Sequence, residues 1–212
     1  MKYYSQIGQD QYYIENISKG KQNGIFLDIG ANNGIFESNT AALEFDYGWK
    51  GICVEANPSL INDLKFNRPN SIIIEAAIWK ENTVLEFETT DSNHKGIEGH
   101  LLSRISNLER NERYFQKHFK ESRTTFSVVA NTITEIIKNN YSFPFTIDYC
   151  SIDTEGAELE ALQGIDFNLI DIKFMTIEHG NRKGYIDLFL NFLKPYGYSI
   201  HRVNQWDVEF IK

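Results

Sequence analysis

Two spacings of apolar and polar positions alternate along this chain. Short apolar runs bounded by turn residues read as strands, and the stretches between them carry helical spacing. The runs are Ile25-Phe26-Leu27-Asp28-Ile29 and residues 50–54, 71–75, 146–152 and 172–177. They are nearly continuous rather than alternating, which fits strands covered on both faces, as in a parallel sheet. Residues 9–18, 35–43, 60–66, 133–138, 156–163 and 185–193 read as helices. Pro58 suits a helix start, Thr132 with Glu135 has the spacing of a capping box, and Gly164 suits a stop. The last two apolar runs, 198–202 and 207–211, lie too close for a helical crossover and must pair antiparallel. The expected class is α/β: a mostly parallel seven-stranded sheet with right-handed crossovers and a terminal antiparallel hairpin.

Outside that scheme, residues 83–89 alternate and predict an added antiparallel strand or hairpin, and 128–130 are strand-like. Residues 90–127 read as an insertion. Within it, 104–121 have amphipathic spacing through Leu108, Tyr114, Phe115 and Phe119, which predicts either a lid helix or a solvated surface helix. His94 and His100 read as loop residues. No repeat or linker interrupts the chain, so one domain over 1–212 is expected.

Acids stand where the apolar runs end: Asp28, Glu55, Asp153 and Glu178. In an open α/β sheet the ligand lies outside the carboxyl ends of the strands, so this reading gathers four acids at one edge. After the first run comes Gly30-Ala31-Asn32-Asn33-Gly34, residues that tolerate positive φ and make a tight turn before a helix. It is not the dinucleotide G-x-G-x-x-G, because Asn32 stands at the second glycine. A ligand without a pyrophosphate, such as S-adenosylmethionine (SAM), fits better, with Glu55 positioned for ribose hydroxyls. Gly30, Asn32 and Gly34 would then hold its amino-acid portion, with Asp28 beneath.

Five segments in order carry a family resemblance: Ser5-Gln6-Ile7-Gly8-Gln9-Asp10, Asp28-Ile29-Gly30-Ala31-Asn32-Asn33-Gly34, Val54-Glu55-Ala56-Asn57-Pro58, Ser151-Ile152-Asp153-Thr154-Glu155-Gly156-Ala157-Glu158 and Thr176-Ile177-Glu178-His179. The series resembles the FkbM family of SAM-dependent methyltransferases. The resemblance implies a Rossmann-like methyltransferase fold and a hydroxyl acceptor on a sugar, glycan or polyketide-like molecule. It also implies that Gln9 lies over the cofactor, against the alternative that this segment only caps a helix. Ala56 and Ala77 would flank the adenine. Related sugar O-methyltransferases hold magnesium with acids at the corresponding strand ends, where the residue matching His179 is typically another acid. Asp153, Glu178 and His179 are therefore read as a candidate metal set, with His179 a general base if no metal binds.

Methyl transfer to a hydroxyl needs an aligned nucleophile and a group to take its proton. Asp153, Glu155, Glu178 and His179 are the candidates, although Asp153, Glu155 and Glu158 also fit acids at a helix N-terminus. A net charge of −8 argues against a nucleic-acid partner. No apolar run reaches the roughly 18–20 residues of a membrane span. There is no apolar signal core at the start, and Cys53 and Cys150 read as reduced core residues, which together predict a cytoplasmic protein. A non-catalytic binding module and an NAD-dependent oxidoreductase remain the competing classes.

Overall fold

The computed structural model describes residues 2–90, 103–106 and 123–212. Its main sheet uses β1 (Ile25–Ile29), β2 (Lys50–Glu55), β3 (Ile72–Glu75), β9 (Tyr149–Ile152), β11 (Phe174–Glu178), β12 (Ser199–Val203) and β13 (Asp207–Ile211). A smaller sheet uses β4 (Ala77–Ile78), β5 (Thr83–Thr90), β6 (Arg104–Ile105) and β7 (Arg123–Asn131), and a short parallel pair uses β8 (Phe145–Ile147) and β10 (Ile170–Ile172). The main sheet runs β3-β2-β1-β9-β11-β13-β12. Every pairing in it is parallel except those of β13, which slots antiparallel between β11 and β12. The terminal hairpin is thus present, with its second strand on the inside.

The helices are α1 (Gln9–Tyr12, continued by a π turn over Tyr13–Ile17), α2 (Ala41–Tyr47), α3 (Ile61–Asn67), α4 (Ile133–Asn140), α5 (Glu158–Gln163) and α6 (Tyr185–Leu193). Successive side chains of a strand point to opposite faces. Leu27 and Ile29 of β1 therefore join a core with α4, α5 and α6, while Phe26 joins a second core with Tyr13, Leu43, Trp49 and Leu64. That double cover is why the strands read as unbroken apolar runs.

Several expected boundaries move. The helix expected over 35–43 begins only at Ala41. Asn33 Oδ1 accepts the N–H groups of Ile35 and Phe36, and Glu37 has φ 53°, which holds 33–40 as a loop. The helix expected over 9–18 continues as a π turn that buries Tyr13 and Ile14 and leaves Tyr12 and Ile17 partly buried. Arg104 was expected to open a helix; it lies in β6, paired antiparallel with β5, because the buried Glu88 carboxylate accepts from its Nε at 2.6 Å. β7 extends well beyond 128–130 and pairs antiparallel along the whole of β5, as the alternation of 83–89 predicted. Most of the expected lid, 107–121, and both His94 and His100 lie outside the described residues. Among the described residues no helix is long and apolar enough to cross a membrane.

The smaller sheet borders the carboxyl edge of the main one. Ala77, Phe87, Ile105, Val128 and Ala130 form one apolar cluster with Ala157, which lies in the loop after β9, and Ala56 packs against it.

Candidate functional site

The loops after β1, β2, β9 and β11 meet at this edge. Gly30, at φ 80°, lies so close to the loop after β9 that an added Cβ would sit 1.7 Å from the Asp153 carbonyl oxygen. Only glycine fits there, and it brings the glycine turn against Asp153. Asn32 also has positive φ, at 50°. Gly34, at φ 84°, abuts Leu64 and Arg68 of the α3 region instead, so its want of a side chain serves packing.

Glu55 fastens that turn. Its Oε2 accepts the Asn32 N–H at 2.9 Å and its Oε1 accepts the Asn57 N–H at 2.7 Å. Burial pushes its carboxyl above the usual range, and the N–H groups of Asn57 and Asn32 pull it back. Each oxygen retains a second lone pair for a further donor. Asp28 lies on the Phe26 face of β1, accepting from Thr40 Oγ1 at 2.6 Å, with Arg68 Nη1 3.6 Å away. Burial raises the Asp28 carboxyl and the Arg68 guanidinium opposes that.

Arg68 went unread in the sequence. It is fully buried, gives Nε to Glu44 at 2.7 Å and Nη2 to Thr40 at 2.9 Å, and reaches the Gly34 carbonyl at 3.2 Å. A buried cation must be paired, and these pairs tie the glycine turn to α2 and α3. Its spacing from Ile61 and Leu64, on the inner face of α3, was the signal available.

Gln9 is buried and donates Nε2 to Asp207 Oδ2 at 2.7 Å, while its Oε1 accepts the Ile7 N–H. Asp10 accepts from Tyr4 N–H, Gln11 N–H and Ser5 Oγ, folding the N-terminal segment back on α1. That segment bridges Ser5 to Glu37 in the loop after the glycine turn. The segment therefore folds back on the start of α1 and lies beside the glycine-turn loop. Asp207 was also missed. It pairs with Glu178 across β11 and β13, and an antiparallel strand begins where its parallel neighbour ends. An acid opening the last strand therefore belongs to the same edge.

The three acids Asp153, Glu155 and Glu178 offer carboxylate oxygens all within 4.8 Å of one another. This is not the set read from the sequence. His179 follows Glu178 directly, so its side chain takes the other side of the strand line. Its Nδ1 accepts the Asn181 N–H at 3.0 Å, which leaves Nε2 as the protonated nitrogen, 3.4 Å from the Asn204 carbonyl. Glu155 takes the third place through a left-handed φ of 55°. Three hard oxygen donors suit a divalent cation such as magnesium. Buried polar atoms near this edge without a hydrogen-bond partner include Asn39 Oδ1, whose Nδ2 bonds Ser151 Oγ, Thr154 Oγ1, between the two acids of the loop, and Asn204 Nδ2, beside His179 and Asp207.

Comparison with known proteins identifies the family and the fold. The model of the methyltransferase FkbM domain matches residues 28–200. No curated protein matches the chain. Among solved structures, a methyltransferase FkbM from Methylobacillus flagellatus superposes with a TM-score of 0.53 at 14% identity, over 90% of this chain. The chain spans only 44% of that protein's length. The methyltransferase domain of METTL16, in its delta-N form, superposes with a TM-score of 0.51 at 13% identity, over 97% of this chain and 82% of that one. These likenesses show the Rossmann-like methyltransferase fold, and the family match covers most of the sequence. The chain belongs to the FkbM methyltransferase family.

Proposed function

We propose that the protein is a SAM-dependent O-methyltransferase acting on a hydroxyl of a sugar, glycan or polyketide-like acceptor. One observation carries this reading. A glycine turn fastened by Glu55 adjoins, at the Gly30–Asp153 contact, a cluster of three acids from two neighbouring strands. In this reading the backbone of Gly30, Asn32 and Gly34 frames the amino-acid portion, and the orphan Asn39 Oδ1 accepts from its ammonium. Glu55 accepts from the ribose hydroxyls, and the small Ala56 and Ala77 leave room for the adenine. Gln9 acts through Asp207.

SAM supplies an electrophilic methyl group: the carbon–sulfur bond breaks as the acceptor oxygen bonds the carbon, and sulfur keeps the electron pair. The protein aligns the two centres and removes the hydroxyl proton. Asp153, the exposed member of the cluster, is suited to take that proton and release it to solvent. A divalent cation held by Asp153, Glu155 and Glu178 would lower the hydroxyl pKa. His179, with Nδ1 and Nε2 both engaged, serves the turn after β11 rather than the proton transfer. An acceptor without dense negative charge suits the net charge of −8.

The test combines calorimetry and turnover. Losing a charge-assisted hydrogen bond costs roughly 1.5–3 kcal/mol, so Glu55→Ala should weaken SAM binding about ten- to a hundredfold. Asp153→Asn should lose methyl transfer while still binding SAM, and chelator should mimic it if a cation takes part. Unchanged SAM affinity in folded Glu55→Ala removes Glu55 from the site. SAM binding without transfer to any hydroxyl acceptor makes the chain a binding module.

A further inference from the structure

We propose that Arg182 and Glu158 form a clamp that fixes the spacing of the two acid-bearing loops, making Arg182 a positioning residue for Asp153, Glu155 and Glu178. The proposal rests on the functional reading above and adds to it two residues whose side chains lie outside the acid cluster.

The acids come from separate loops. Asp153 and Glu155 follow β9, and Glu178 closes β11. The first loop is conformationally costly, with Glu155 at φ 55° and Gly156 at φ 126°. Glu158, the first residue of α5, is fully buried and holds that loop from inside. Its Oε1 accepts the N–H groups of Thr154 at 3.2 Å and Gly156 at 2.9 Å. Its Oε2 accepts from Arg182 Nη2.

Arg182 carries the connection across. Its Nε donates to the His179 carbonyl at 3.0 Å, and Nη2 reaches the Glu178 carbonyl at 3.3 Å. Nη1 reaches back to the Gly156 carbonyl at 3.5 Å. The guanidinium lies over the Tyr185 ring, 3.8 Å from its centre, so its plane is set. One planar cation thus joins the backbone of the β11 loop to the backbone and buried carboxylate of the β9 loop. Lysine has no planar fork and can satisfy only part of this set. The Glu55 end of the site lies on β2, two strands from β9 across β1. The clamped loop also meets the glycine turn at Gly30, through the Asp153 backbone, so loosening the clamp should disturb the acids strongly and cofactor affinity only slightly.

The experiment compares wild type with Arg182→Lys, Arg182→Ala and Glu158→Gln. It reads S-adenosylhomocysteine affinity by calorimetry, Mn²⁺ affinity by electron paramagnetic resonance, and methyl transfer to a panel of methyl glycosides. A misplacement near 1 Å costs about a hundredfold in rate. The expected result is a kcat lower by about that factor in Arg182→Lys, weaker Mn²⁺ binding, and a far smaller change, at most about threefold, in S-adenosylhomocysteine affinity. Added methylguanidinium should restore part of the rate to Arg182→Ala. Wild-type kcat and Mn²⁺ affinity in Arg182→Lys overturn the clamp. So does a parallel loss of S-adenosylhomocysteine affinity, which would mark Arg182 as support for the whole fold. If wild type transfers no methyl group, the functional reading fails and Mn²⁺ affinity alone judges the clamp. If wild type binds no Mn²⁺, the split between kcat and cofactor affinity judges it. With neither activity in wild type, the clamp has nothing to position and is rejected.

Discussion

Asp207 puts a second buried carboxylate beside the acid cluster. Its carboxylate is buried, accepts from Gln9 Nε2, and faces Glu178 and Glu209. Burial pushes its carboxyl up to about 6, with the Gln9 hydrogen bond opposing and the Glu178 charge adding to the rise. A carboxyl raised above its unfolded value binds its proton more tightly in the folded state. Its contribution to stability is then present at low pH and lost as pH rises from about 4 to about 6. At one unit per 1.36 kcal/mol, the ionised Asp207 costs up to about 3 kcal/mol at pH 7. Asp207→Asn keeps an acceptor for Gln9 and removes the charge. It should gain stability at pH 7 but not at pH 4 in urea unfolding, measured in EDTA so that no cation sits beside Glu178. An identical difference between variant and wild type at both pH values would show that Asp207 titrates normally.

Helix α4 shows how far local pattern carries at the scale of an element. Thr132 Oγ1 accepts the Glu135 N–H at 3.0 Å, as the spacing predicted. The reciprocal half of the box is absent, because the Thr132 N–H donates to Asn82 Oδ1 at 2.9 Å. The cap is thus shared with the segment before β5. Thr132→Ala should cost about 1 kcal/mol by urea unfolding, and Asn82→Ala should add a further loss; no loss from either would mean that packing alone starts the helix. The same contrast runs through the chain. Strands β1, β2, β9 and β11 were legible because burial on both faces leaves an unbroken apolar run, and their ends because an acid stops each run. β8 and β9 read as one strand over 146–152, because the break falls at Asp148, whose carboxylate accepts the Ile25 N–H and pairs with Lys21, partners distant in sequence. What stayed hidden depended on partners distant in sequence. The buried Arg68 needs Glu44 and Asp28, the strand at Arg104 needs Glu88, and the acid cluster needs Glu155 turned by a left-handed backbone. Neighbouring positions cannot reveal such pairs, so charge there reads as solvated surface.

Across the whole molecule, the two cysteines report on the sheet that carries the site. Cys53 of β2 pairs with Asp28, and Cys150 of β9 pairs with Leu27, so the thiols flank β1 on either side. Both are fully buried, and burial pushes Cys53 up to about 12 and raises Cys150 as well. The thiolate is the reactive form, so each is shielded twice, by access and by protonation. A thiol reagent should therefore label them only when the sheet opens. S-adenosylhomocysteine at a hundred times its dissociation constant stabilises the folded state by about 2.7 kcal/mol if it binds only that state. When reclosing outpaces labelling, the rate follows the open population, which then falls about a hundredfold. Both cysteines should slow by that factor together, read by mass spectrometry of the labelled peptides. Rapid labelling of either in the native protein would contradict its burial. Slowing of Cys53 without Cys150 would mean that the cofactor holds the β2 side alone, and the sheet would then not unfold as the single unit that its two continuous cores imply.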